Sequence, residues 1–259
     1  MLLAVDVGNT QMVVGVFRDE ELAWHWRLST QPERTADELA LAFGGFLEHQ
    51  GLSFSKHITG VAISSVVPPV TGQLREMVQR YFHFEPIVVE PGVKTGVSVL
   101  TDNPREVGAD RIVNALAAYA RYGGPCIVVD FGTATTYDAV SEKGEYLGGS
   151  IAPGIAVAAE GLIAQASRLP RVEIVAPKAI IGKNTVEALQ SGLVYGTAAE
   201  VDGIVERMQK ELGGHATVVV TGGLAEVIAP HTTTVDHHEP WLTLEGLRLI
   251  FERNTRPDA

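Results

Sequence analysis

The sequence predicts an α/β fold built from two related halves, and three observations carry that prediction. Asp6-Val7-Gly8-Asn9-Thr10 and Asp130-Phe131-Gly132-Thr133-Ala134-Thr135-Thr136 repeat one pattern: an apolar run ending in Asp, then Gly and Thr, then a second apolar run. Each copy opens a strand meander that gives way to alternating helical and strand periodicities. Gly123-Gly124-Pro125 breaks the chain between them. The expected division of the 259 residues is therefore 1–123 and 124–259, two domains of nearly equal length.

In the first half, Leu2 to Val5 and Met12 to Phe17 are apolar enough to pair as antiparallel strands, with Gly8 supplying a backbone conformation that a side chain would hinder. Leu22 to Leu28 continues as a third strand. Thr35 to Gln50 reads as an amphipathic helix, capped near Thr35 and stopped by Gly51. Ile58 to Ser64 resumes strand character, Pro68-Pro69 opens a helix to about His83, Ile87 to Glu90 is a short strand, and Val107 to Tyr122 is an Ala-rich helix. In the second half, Cys126 to Val129, Thr135 to Val140 and Tyr146 to Ile151 repeat the meander. Helices over Gly154 to Ser167 and Thr185 to Leu212 follow, then strands at Val218 to Thr221 and Thr234 to Asp236. The last helix, about Leu242 to Arg253, leaves a short polar tail that is expected to fray.

The formal charge of −11 offers no broad attraction for nucleic acid or anionic membranes, so neither is an expected partner and a phosphate ligand has to be gripped locally. The N-terminus has no basic leader and no segment approaches a membrane span, which makes the cytoplasm the expected location. Cys126 is the single cysteine. Its place in a Val/Ile run reads as packing rather than as a nucleophile.

Turns of the repeated kind present backbone N–H groups and Thr hydroxyls to an anion, while the preceding Asp can hold a cation or its water shell. ATP with magnesium presents both charges. Ordinary hairpins account for either copy alone; the coincidence of two argues for a duplicated phosphate grip. Asn103-Pro104-Arg105-Glu106-Val107-Gly108-Ala109-Asp110-Arg111 sets an acid beside a base at the start of a helix. There Asp110 can accept a proton from an attacking hydroxyl and Arg111 can pair with a carboxylate or with moving phosphoryl charge. A capping Asp with a surface Arg is the plainer account of that segment taken alone. Gly148-Gly149-Ser150-Ile151-Ala152-Pro153-Gly154 lets backbone approach a ligand or another strand. Gly222 and Gly223, in Thr221-Gly222-Gly223-Leu224-Ala225, offer bare backbone to an adenine or ribose ring, or simply open a helix. Gly182-Lys183-Asn184-Thr185 is not a Walker A loop, having no Gly five residues earlier and Asn at the Ser/Thr position. His231, His237 and His238 read as solvated surface residues, without a metal-ligand set.

The paired turns in halves of similar length resemble the superfamily of actin, sugar kinases and heat-shock ATPases. With Gly108-Ala109-Asp110-Arg111, Gly148 to Gly154 and Gly182 to Thr185 added, the whole chain from Leu2 to Asn254 resembles a type III pantothenate kinase. The resemblance implies two duplicated actin-like (ribonuclease H-like) domains, each a mixed sheet with flanking helices, and an ATP cleft between them. It implies phosphorylation of the terminal hydroxyl of pantothenate by ATP, the first step of coenzyme A synthesis, with magnesium or another divalent metal and with potassium or ammonium. On this resemblance Asp6, Val7, Gly8, Asn9, Thr10, Gln11, Met12 and Val13 form the first phosphate loop, Asp6 lying near the magnesium. Thr133 contacts ATP phosphate, Asp130 is the potassium or ammonium position, and Gly108, Ala109, Asp110 and Arg111 bind pantothenate. Asp110 is the expected general base, of ordinary carboxylate pKa, and Thr185 reaches the substrate across a homodimer interface.

Two departures stand out: Gln11 where Asn is frequent, which keeps the amide, and Thr101 where Tyr is frequent, which removes one wall of the pantothenate pocket and predicts weaker substrate affinity. Another small-molecule kinase or a phosphate-ester hydrolase on the same scaffold is an alternative, as is a non-catalytic nucleotide-binding regulator. Retention of Asp6, Asp110 and Asp130 favours the enzyme.

Overall fold

The computed structural model describes residues 1–255, so the polar tail beyond them lies outside the described residues. The chain divides into two compact units. The first comprises Met1–Val97, Asn103–Ala117 and the C-terminal helix; the second comprises Ser98–Asp102 and Ala118–Trp241.

The first unit holds strands β1 (Leu2–Val7), β2 (Gln11–Arg18), β3 (Glu21–Ser29), β4 (Gly60–Ser65) and β5 (Ile87–Val88), with helices α1 (Ala36–His49), α2 (Phe54–His57) and α3 (Pro68–Phe82). Its sheet order is β3-β2-β1-β4-β5, the meander antiparallel and β1-β4-β5 parallel. Alternation sends Leu3, Val5, Val7, Met12, Val14, Val61 and Ile63 to one face, where they pack with Leu39 and Phe43 of α1 and Leu74 and Met77 of α3. A full capping box starts α1: Thr35 accepts from the Glu38 N–H and Glu38 reaches back to the Thr35 N–H.

Helix α4 (Ala109–Tyr122) follows a single 3₁₀ turn over Pro104–Glu106 and runs from the first unit into the second. The second unit adds β6 (Cys126–Phe131), β7 (Ala134–Val140), β8 (Tyr146–Pro153), α5 (Ile155–Gln165), α6 (Thr185–Glu211), β9 (Thr217–Gly222), α7 (Ala225–Ile228) and β10 (His237–His238). Its sheet order, β8-β7-β6-β9-β10, reproduces that of the first sheet strand for strand. Ile127, Val129, Phe131 and Val218 pack there against Val194, Ala198 and Val201 of α6.

Three expectations need correction. The last helix, α8 (Leu242–Thr255), was assigned with the second half but belongs to the first unit. It seats Leu244 where a Cβ on Gly15 would sit at 2.7 Å and Phe251 where one on Gly60 would sit at 2.1 Å, so glycines admit it to the open face of the first sheet. The strand expected at Thr234–Asp236 is displaced to His237–His238, which pair with Val219 and Val220. Gly8 is not among the glycines with left-handed backbone; a side chain there is hindered instead by the Gln11 carbonyl, 3.2 Å from the Cβ position. No helix among the described residues is long and apolar enough to cross a membrane.

Candidate active site

In the first unit, β1 and β2 are joined by residues 8–10, and the Gly8 N–H donates to the Gln11 carbonyl at 3.0 Å. Asn9, Thr10 and Gln11 are exposed, whereas Val7 and Met12 are core residues and can offer a ligand only main chain. Thr30, which the sequence reading did not single out, latches the turn: its hydroxyl donates to the Gly8 carbonyl at 2.7 Å and its N–H to the Thr10 carbonyl at 2.9 Å. Asp6, one residue before the end of β1, lies on the face opposite the α1–α3 core, level with Val13 on β2 and Ser64 on β4.

The Asn103–Arg111 segment lies in the same unit. The Gly108 carbonyl accepts from the N–H groups of Arg111 and Ile112, and a Cβ on Gly108 would sit 2.4 Å from Asp110 Oδ1 and 3.8 Å from Val66. Glycine is thus required for the Asp110 carboxylate to fold back against the helix start. Asp110 Oδ1 accepts from the Arg111 N–H at 2.9 Å. Burial pushes the Asp110 carboxyl above its ordinary value, outweighing that hydrogen bond and the Arg111 charge. The expectation of an ordinary pKa is therefore corrected: position at the buried end of the segment makes Asp110 a stronger base than a surface aspartate.

In the second unit, the turn between β6 and β7 is shorter, residues 132–133, with the Gly132 N–H donating to the Ala134 carbonyl at 3.1 Å. Thr133 is exposed on it. Gly154 packs beneath: its N–H donates to the Thr133 carbonyl at 3.1 Å, and a Cβ would lie 2.3 Å from that oxygen. Close packing is what this glycine serves. Asp130 stands level with Thr136 on β7 and Thr221 on β9. Gly222, in left-handed backbone at φ 95°, leaves the space in which a Cβ would meet Asp130 Oδ1 at 2.5 Å. Gly223 beside it is exposed.

Thr185 is the exposed first residue of α6. Asn184 caps that helix by accepting from the Glu187 N–H at 2.9 Å, and a Cβ on Gly182 would lie 2.4 Å from the Ala188 nitrogen. Gly182 to Thr185 is thus a helix start, not a nucleotide loop. His237 and His238 are exposed, His237 stacking on Tyr122 with ring centroids 4.1 Å apart. Among the described residues no three His, Cys, Asp or Glu side chains are grouped to hold a metal. Cys126 is buried, and burial pushes its thiol up to about 12. That suits packing.

The family profile of type III pantothenate kinase matches residues 2–207, a span that includes both turns, the Gly108–Arg111 segment and the start of α6. The chain belongs to the type III pantothenate kinase family. A relative named type III pantothenate kinase in Moorella thermoacetica is 56% identical over 98% of this chain and 100% of its own length. Another, in Streptomyces griseus, is 55% identical over 98% of both. Among solved structures, a Campylobacter jejuni protein described as a Baf family transcriptional activator superposes with TM-score 0.61 at 22% identity, covering 99% of this chain and 100% of its own. The activator of 2-hydroxyisocaproyl-CoA dehydratase from Clostridium difficile, with bound ADPNP, gives 0.52 at 12% identity, covering 99% and 96%. These distant likenesses speak to fold alone. What they share with this chain is its architecture, two five-stranded mixed sheets of the same strand order with flanking helices.

Proposed function

We propose that this protein phosphorylates pantothenate with ATP to 4′-phosphopantothenate in coenzyme A biosynthesis. The carrying observation is the family match over residues 2–207, which takes in both turns and the Gly108–Arg111 segment together.

In this reading the turn after Asp6 offers the ATP phosphates the N–H groups and side chains of Asn9, Thr10 and Gln11, while Val7, Gly8, Met12 and Val13 contribute main chain. Thr133 does the same from the second turn, and Gly222 and Gly223 lie by the adenosine. Gly108, Ala109 and Arg111 hold pantothenate. Asp110 accepts the proton of the terminal hydroxyl as its oxygen bonds to the γ-phosphorus and the bond to ADP breaks. The raised pKa supports that role, because a buried carboxylate takes a proton more readily than an exposed one.

The residues around Asp6 fit a divalent cation of the magnesium type. The Asp6 carboxylate, beside the first turn, would hold such an ion while it keeps its waters and takes its other ligands from phosphate oxygens. Such a cation neutralises charge on the transferred phosphoryl group. Asp130, flanked in register by Thr136 and Thr221, supplies the oxygen-rich setting that potassium or ammonium needs. A homodimer in which Thr185 reaches the partner's substrate belongs to the same proposal. Exposed Ile151, Val157, Leu162, Ile180, Ile181 and Val186 in the second unit support it. A cytoplasmic location follows for an ATP-using biosynthetic enzyme.

The test is a coupled ADP-release assay with pantothenate against a panel of hydroxy acids and sugars, with and without potassium. Pantothenate-dependent release that rises with potassium is expected; ADP release with another acceptor alone would replace this reading.

A further inference from the structure

Ser64 is wholly buried, and its hydroxyl has no hydrogen-bond partner among the described residues. It stands opposite Asp6 in the parallel pairing of β1 with β4, so the two side chains leave the same face of the sheet, Cα atoms about 5 Å apart. The preceding rung on that face pairs Ala4 with Ala62, both fully buried. A buried hydroxyl left unpaired costs about 1–3 kcal/mol, so serine at this position works against stability. Residues that break a local rule in this way mark functional sites.

Two further relationships bear on Ser64. Val66, one residue past β4 and two along from Ser64, borders the space beside Gly108 that Asp110 Oδ1 also borders, so the chain leaving β4 runs next to the Gly108–Arg111 segment. The duplicated half repeats the arrangement, for Asp130 stands opposite Thr221 in the parallel pairing of β6 with β9. In both halves, then, the aspartate one residue before the end of the first strand faces a hydroxyl residue on its parallel neighbour.

We propose that Ser64 is a positioning residue whose hydroxyl turns to donate to the Asp6 carboxylate and orients it toward the divalent cation. A hydroxyl has one rotatable proton to donate, and a neighbouring carboxylate on the same sheet face is an acceptor for it. The inference rests on the reading of Asp6 as the divalent-cation residue. It deepens that reading by adding an outer support on a different strand.

Ser64→Ala separates this from a structural role. The variant should melt at or above the wild-type temperature, because an unpaired buried hydroxyl is removed. Its affinity for Mn²⁺, titrated by electron paramagnetic resonance in the presence of a non-hydrolysable ATP analogue, should fall about tenfold or more. The half-saturating magnesium concentration for turnover should rise with it. Wild-type Mn²⁺ affinity in Ser64→Ala would overturn the inference even where the protein turns over pantothenate. Loss of Mn²⁺ affinity in a protein that turns over no pantothenate would uphold the Ser64 role and overturn the substrate reading instead.

Discussion

The space a Cβ would occupy on Gly222, the last residue of β9, lies 2.5 Å from Oδ1 of Asp130 and 2.6 Å from the Phe131 nitrogen, so the carboxylate and the backbone at the end of β6 together leave room only for glycine. The same glycine sits at φ 95°, which L side chains resist. Gly222→Ala should therefore lower stability by about 1–2 kcal/mol in denaturant titration and raise the potassium concentration needed for half-maximal turnover. Asp130→Ala should flatten the potassium titration altogether. An unchanged potassium response in both variants would remove Asp130 from the cation site.

Asp110→Asn should abolish phosphoryl transfer while preserving the fold. Because burial raises the Asp110 pKa, the folded state binds its proton more tightly than the unfolded one, and the charged form costs stability as pH rises. The variant should thus melt higher than wild type at neutral pH. That advantage should shrink as pH falls through the raised folded value and vanish below the ordinary 3.8. The acid limb of wild-type kcat/KM should likewise lie above 3.8, readable from a pH–rate profile.

Thr30→Val removes the 2.7 Å bond to the Gly8 carbonyl that braces the first turn. A loss of about 1 kcal/mol is expected. If the turn holds ATP phosphate, KM for ATP should rise with KM for pantothenate unmoved; steady-state kinetics in both substrates checks the split.

Asp202 accepts from the N–H and hydroxyl groups of both Thr233 and Thr234, at 2.8 to 3.0 Å. Burial opposes its ionisation, but the bonds from Thr234 and Thr233 outweigh that and hold its pKa below the ordinary value. Its stabilising effect should be full above the ordinary carboxylate pKa and lost as pH falls through the depressed one. Asp202→Asn should cost about 1 kcal/mol at neutral pH, with the gap to wild type closing in acid melts.

Much of this fold was legible in the chain because apolar runs and breakers agree. Thr35 followed by Glu38 marks the start of α1, Gly51 its end, and the two Asp/Gly/Thr turns announce the duplicated meanders. The helix start at Gly108–Arg111 was legible as well, since a Pro-bearing turn precedes it and Gly108 opens it. Less legible was β10, whose two exposed histidines have no strand periodicity and are selected only by pairing with Val219 and Val220. The raised pKa of Asp110 was invisible because burial is a property of the surroundings, not of the residue.

By itself, then, the sequence determined the two meanders, the repeated Asp/Gly/Thr turns and the family, all of which depend on residues close in the chain or on motifs. Tertiary structure alone decided that α8 returns to the first sheet through the gaps at Gly15 and Gly60, that Gly154 and Gly222 are bare for the sake of Thr133, Asp130 and Phe131, and that Ser64 faces Asp6 with a hydroxyl unpaired among the described residues. The physical reason is the same in each case. Local periodicity records which face a residue takes, whereas steric room and hydrogen-bond satisfaction depend on partners that only the folded chain brings alongside.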